Sequence, residues 1–84
     1  MRRVEKPWGY EVIWAETKDY VGKLLYIKKG HRLSKQYHNI KEETIYVVNG
    51  VLYNEDENDK ITKILPGENF HVSPKQIHQI GRAH

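Results

Sequence analysis

The sequence predicts an all-β fold, a small barrel or sandwich of short strands. Three observations lead there. Apolar, aromatic and β-branched runs of about four to eight residues recur along the chain, the length and composition of strands. Turn-forming pairs punctuate them: Lys29-Gly30, Asn49-Gly50 and Pro66-Gly67. No stretch carries the apolar periodicity of an amphipathic helix of useful length. Short, closely spaced strands in a small chain favour a closed or layered β architecture.

Taken in order, residues 10–14 (Tyr-Glu-Val-Ile-Trp) form the first predicted strand, entered through Pro7-Trp8-Gly9. Residues 21–28 form the second. Strand side chains alternate, so Lys23, Leu25 and Ile27 share one face while Leu24 and Tyr26 share the other. Glu43 opens the run 43–48, and residues 51–54 follow Asn49-Gly50, the strongest short hairpin signal in the chain. The acidic stretch 55–60 reads as a solvated loop rather than a calcium site. Residues 61–65 run as a strand into Pro66-Gly67, and residues 70–72 and 77–80 form short strands around Pro74. The chain stops directly after the last of these. A barrel normally needs closing strands, so the domain is expected to be short of its last strands or to take an edge from a partner chain; an open edge otherwise invites aggregation.

Length and composition bound the function. The 84 residues make one domain, 1–84. A domain this short buries only about 60–65% of its unfolded surface, which leaves it marginal without a metal or a second copy. Hydrophobic residues make up 38% and charged residues 30%, an ordinary soluble balance. The 14 Lys and Arg are interleaved with 11 acids, net +3, so no tract is suited to nucleic acid. The absence of cysteine excludes disulfides and thiolate metal sites, and the cytoplasm is the default compartment. No apolar run approaches the roughly 20 residues that span a bilayer, and no apolar stretch follows the basic N-terminus as in a signal peptide.

One constellation points to chemistry. Gln36 and His38 are two residues apart, so on a strand they face the same way. Glu43 opens the next strand, and His78 follows the turn around Pro74. An amide oxygen, two imidazoles and a carboxylate suit a divalent zinc, manganese, iron or nickel ion. The plainer reading makes these polar residues at solvated strand ends. Glu42 is the neighbouring carboxylate, and strand alternation turns it away from Glu43.

These residues resemble the cupins. The first cupin motif runs Gly, five residues, His-x-His, three or four residues, Glu, six residues, Gly. Gly30, Gln36, His38, Glu43 and Gly50 fall at those spacings, with Gln36 in place of the first His. The second motif, a Pro-Gly turn and a Pro-containing turn before a His, is matched by Pro66-Gly67, Pro74 and His78. Arg82 stands where Asn normally follows. The chain is more particularly similar to the mannose-6-phosphate isomerase group of cupins. Its Lys6-Pro7-Trp8-Gly9-Tyr10-Glu11 resembles their Pro-Trp-Gly opening, and Leu33-Ser34-Lys35-Gln36-Tyr37-His38 their Leu-Ser-x-Gln-x-His segment. In the bifunctional branch further histidines follow; here Ile40 stands two residues after His38. The similarity covers roughly residues 4–80 and speaks for fold more than reaction, because cupins host many chemistries.

The resemblance implies a small cupin-type jelly-roll β-barrel with a metal held by Gln36, His38, Glu43 and His78, or by the last three with Gln36 orienting an imidazole. It implies a metal-dependent sugar-phosphate isomerase that interconverts aldose and ketose through an enediol, acting on a sugar or sugar phosphate. Lys23 and a hydroxide on the metal are the candidates for moving the proton, and Lys23 could alternatively hold an anion or be a solvated strand-end lysine. Arg82 is the candidate for binding a substrate anion, or lies loose at the C-terminus. A non-catalytic sugar- or small-acid-binding cupin and another metal cupin activity such as a dioxygenase are the alternatives. His31, His71 and His84 read as surface histidines, Trp8 and Trp14 as packing residues. A homodimer is expected, with the segment up to Trp14 crossing over.

Overall fold

Eight strands form, most of them where inward and outward side chains alternate, and no helix forms among the described residues. The computed structural model describes residues 1–36 and 42–83. The strands are β1 (Arg2–Lys6), β2 (Gly9–Glu16), β3 (Val21–Ile27), β4 (Glu43–Tyr46), β5 (Leu52–Asp56), β6 (Ile61–Ile64), β7 (Asn69–Val72) and β8 (His78–Arg82). They form antiparallel sheets in the orders β1-β2-β3, β4-β7 and β6-β5-β8. The predicted all-β class is the class observed.

β1 was not foreseen. Arg2, Arg3, Glu5 and Lys6 leave it one apolar residue, Val4, and no hydrophobic alternation to read. Its charges blunt the outer edge of the first sheet against further pairing. Gly9 sits opposite Ile27 with φ +151°, and a Cβ there would run into the Tyr26 carbonyl oxygen. Only glycine lets β2 start so close to β3. Trp8 packs on the core, and its carbonyl accepts a 2.8 Å hydrogen bond from the Lys28 N–H. On the outward face the Trp14 ring lies over Gly22, and Tyr10 stacks on Tyr26 with centroids 5.1 Å apart. The Arg3 guanidinium sits 3.8 Å above the Tyr10 ring.

The Asn49-Gly50 hairpin expected from sequence is not formed. β4 pairs with β7, while β5 pairs with β6 and β8. The chain leaving β4 stays tied to the Pro66-Gly67 turn. The Val47 N–H donates to the Glu68 carbonyl at 3.0 Å, and the Gly67 N–H donates to the Val47 carbonyl at 2.8 Å. Gly50 then turns the chain toward another sheet with φ +79°, and the Arg82 side chain occupies the space its Cβ would need. The glycine is used for its left-handed backbone, as the sequence suggests, but at a corner between sheets. The β5–β6 connection is a hairpin. It is shorter than expected because Glu55 and Asp56 belong to β5. The Asp56 carboxylate closes it by accepting from the Asn58 and Lys60 N–H groups at 2.8 and 3.0 Å.

Segment 30–36 runs antiparallel beside β8, on the side away from β5. The Gly30 N–H donates to the Arg82 carbonyl, Leu33 to Ile80 and Gln36 to His78, each at 2.9 Å. The N–H groups of Arg82 and His78 return bonds to His31 and Gln36 at 2.9 and 3.1 Å. All three sheets meet at one core. Ile27, Leu33, Val47, Leu52, Ile64 and Ile80 are buried together, with Trp8, Leu25, Ile45 and Phe70 packed against them.

β6 makes the inward–outward alternation testable, since Ile64 is 3% exposed and Ile61 62%. Ile64→Ala is expected to cost about 2–5 kcal/mol, enough to unfold much of so small a domain, and Ile61→Ala less than about 0.5 kcal/mol. Urea denaturation of the two variants measures this. Equal losses would show that β6 does not face the core as described.

Candidate functional site

Gln36 and His78 are brought side by side by an irregular register. Arg32 lies directly opposite Gly81, and Gln36 directly opposite His78. Four residue steps on one side therefore span three on the other, so the first segment carries one extra residue, as in a β-bulge. The consequence is a change of face. Leu33 points into the core, so regular alternation would send Gln36 outward. The extra residue places Gln36 opposite His78 instead, and directly paired residues share a face. His78 is 4% exposed and starts the inward row His78, Ile80, Arg82.

Glu43 arrives from a different sheet. It pairs with Val72, which is 3% exposed, and so lies on the inward face of β4 with Ile45. Its Oε2 stands 3.8 Å from His78 Nε2. Glu42 turns outward, as alternation requires, and its carboxylate is 2.9 Å from His71 Nε2. His71 Nδ1 is in turn 2.9 Å from the Thr44 hydroxyl on the opposite strand. This exposed trio fixes Glu42 at the start of β4 and thereby helps aim Glu43 inward. His38 lies outside the described residues, as does His84.

The described donors suit a divalent metal in kind, and Glu43 and His78 also in position. An amide oxygen, a carboxylate and an imidazole are a common set for borderline ions. Two donors that share an ion at about 2.1 Å each stand roughly 3.0–3.6 Å apart, so the Glu43–His78 pair needs only a small side-chain adjustment to chelate. Among the described residues, no three His, Cys, Asp or Glu side chains form such a group by themselves. Gln36 is therefore the third donor available within the described residues.

Lys23 and Arg82 are both engaged by the protein. Lys23 lies opposite Ile13, in the same row of β3 as Leu25 and Ile27, but at the exposed end of that row. Its Nζ is 3.7 Å from Glu11 Oε2, and Lys6 Nζ approaches the other carboxylate oxygen at 4.0 Å. Arg82 continues β8, and its Nη1 donates to the Ile27 carbonyl at 3.0 Å. Its guanidinium lies 5.9 Å from the Tyr26 ring centroid. His31 is exposed beside the Lys29 carbonyl.

Two inward polar residues escaped the sequence reading. Glu11 alternates with Gly9 and Ile13 on the buried side of β2, and Asn54 alternates with Leu52 on β5. Each interrupts an apolar row, a signal visible in the sequence once the facing of the strand is known. Glu11 also yields a prediction. With its side chain 12% exposed between two lysines, Glu11→Gln is expected to cost about 0.5–1.5 kcal/mol at low ionic strength. The loss should shrink in high salt, because both lysines are more than a third exposed and thus screened. Denaturation at two salt concentrations tests this, and a salt-independent result would rule out a charge origin.

Comparison with known proteins adds the family. Searches of curated proteins and of solved structures returned no match. One family model matches, that of the mannose-6-phosphate isomerase C-terminal domain, and it spans residues 1–83. It covers all eight strands and every site residue described above. With the antiparallel β architecture and the convergence of the two motif segments on His78, this places the chain in the mannose-6-phosphate isomerase C-terminal family, a family of cupin-type domains.

Proposed function

We propose that this chain is a metal-dependent sugar-phosphate isomerase of the mannose-6-phosphate type. The observation that carries the reading is the convergence of Gln36, Glu43 and His78 from three separate segments on one inward-facing spot, in a chain of this family. Gln36, Glu43 and His78, with His38, would hold a zinc, manganese, iron or nickel ion. When bound, the ion supplies Lewis-acid polarisation of the sugar carbonyl and charge stabilisation of the enediol.

The chemistry asked of the protein is a proton shift. The proton on C2 of the open-chain aldose moves to C1, and the proton on O2 moves to O1, giving the ketose with no co-reactant. Buried His78 and inward Glu43 keep the ligand's reacting end away from bulk water. Lys23 is the residue proposed to move the proton. The Glu11 carboxylate, 3.7 Å away, positions its amine but also engages it. Arg82 is proposed to attract the phosphate at the other end of the inward row.

A second reading has a specific observation behind it. Lys23 is tied to Glu11 and Arg82 to a backbone carbonyl. A site whose two candidate working cations are both occupied suits a non-catalytic sugar- or small-acid-binding cupin. Either way the assembly proposed is a homodimer. Sedimentation at micromolar concentration should give twice the chain mass, and a monomer would count against it.

Metal analysis and a coupled assay on mannose 6-phosphate separate the readings. The isomerase reading expects about one metal per chain, lost in His38→Ala and His78→Ala, and turnover abolished by chelation. Gln36→Leu should weaken metal binding by about 10–100-fold if the amide orients a ligand, and more if it is itself a ligand. Metal and sugar binding without turnover would establish the binding-protein reading. A chain that takes up no metal on reconstitution sinks the enzymatic readings and leaves a metal-free binding fold.

A further inference from the structure

Asn54 is polar at a place where the fold calls for an apolar side chain. It lies on β5 between Ile80 of β8 and Thr62 of β6, in the inward row that starts with Leu52. The residue is 4% exposed, and its Oδ1 is sealed from solvent without a hydrogen-bond partner. Its buried neighbours on that face, Leu52, Ile64 and Ile80, have no side-chain donor to offer, and the hydroxyl of exposed Thr62, directly opposite on β6, makes no bond to it. Buried amide oxygens are almost always bonded, because burial strips away the water that would satisfy them. Asparagine is also a poor strand former. The position thus works against stability twice, and departures of this kind concentrate where function needs them.

The place is the candidate site. His78 is the inward residue next to Ile80 along β8, so Asn54 and His78 are diagonal neighbours on one face. One small ligand can reach both. The missing partner is neutral, since an ammonium or guanidinium among Leu52, Ile64 and Ile80 would be a buried charge in an apolar wall. A carboxylate has no hydrogen to donate. A hydroxyl group can donate to Oδ1, and it can equally accept from the amide if the side chain is turned over.

We propose that Asn54 binds a hydroxyl group of the ligand held at Gln36, Glu43 and His78, so that the site selects a polyhydroxylated substrate. This deepens the sugar-phosphate reading of the site and rests on it.

The test uses the full chain reconstituted with metal, with mannose 6-phosphate and its monodeoxy analogues as probes. Asn54→Leu should keep its metal and melt at the same or a higher temperature without ligand. It should bind mannose 6-phosphate at least about 10-fold more weakly, the penalty of a site that loses one matched hydroxyl contact. One deoxy analogue should bind the wild-type chain equally weakly and lose nothing further on Asn54→Leu. Asn54→Thr, smaller and still carrying an oxygen, should recover part of the affinity and guards against overpacking by leucine. Wild-type affinity in Asn54→Leu overturns the proposal, as does loss of fold in both variants, which would mark Asn54 as purely structural. Failure of the wild-type chain to take up metal would instead remove the reading of the site on which the proposal stands. Metal uptake by the wild-type chain without binding of mannose 6-phosphate would likewise remove that reading, whereas sugar binding left unchanged in Asn54→Leu overturns the hydroxyl assignment alone.

Discussion

The antiparallel lacing of segment 30–36 to β8 is the interaction on which the rest of this structure depends. Five backbone hydrogen bonds of 2.9–3.1 Å join the two, though their residues are more than forty positions apart in the chain. Closing so long a loop is entropically unfavourable, and the backbone bonds together with the burial of Leu33 against the core offset it. The lacing joins the two halves of the cupin pattern physically. Without it Gln36 and His78 would be strangers, and the inward face of the β6-β5-β8 sheet would lose the neighbour that bears Leu33.

The inward surface is then divided by chemistry. Ile27, Leu33, Val47, Leu52, Ile64 and Ile80 form its apolar part. Gln36, Glu43, Asn54 and His78 form a polar part facing the same interior. A protein of this size has little apolar surface to spare, so each polar residue turned inward lowers its margin of stability. Clustering them in one region limits that loss, since neighbouring polar groups such as Glu43 and His78 can interact with each other. Glu11 lies apart from this cluster, paired with Lys6 and Lys23.

The outer faces of the sheets support the inner ones. Glu42, His71 and Thr44 are exposed and carry no core, yet their contacts fix the direction of the first residues of β4. Because successive strand residues face opposite ways, holding Glu42 outward holds Glu43 inward. The polar hairpin between β5 and β6, closed by Asp56, does the same for the strand that bears Asn54.

The amino-acid order by itself determined the β class, the positions of most strands, the facing of β3 and the residues worth watching. These follow from local alternation and turn chemistry, which need only a few neighbouring residues to act. It did not reveal β1, because four charges erase the pattern that alternation reads. It misled at Asn49-Gly50, where a strong hairpin signal serves a corner, since the partners of β4 and β5 are chosen by distant strands that complete the core. The tertiary structure alone decided that Gln36 faces His78, because that depends on one extra residue in a register between remote segments. It alone showed Glu11 and Asn54 to be buried, because burial is a property of the strands packed around a residue, and no short stretch of sequence contains them.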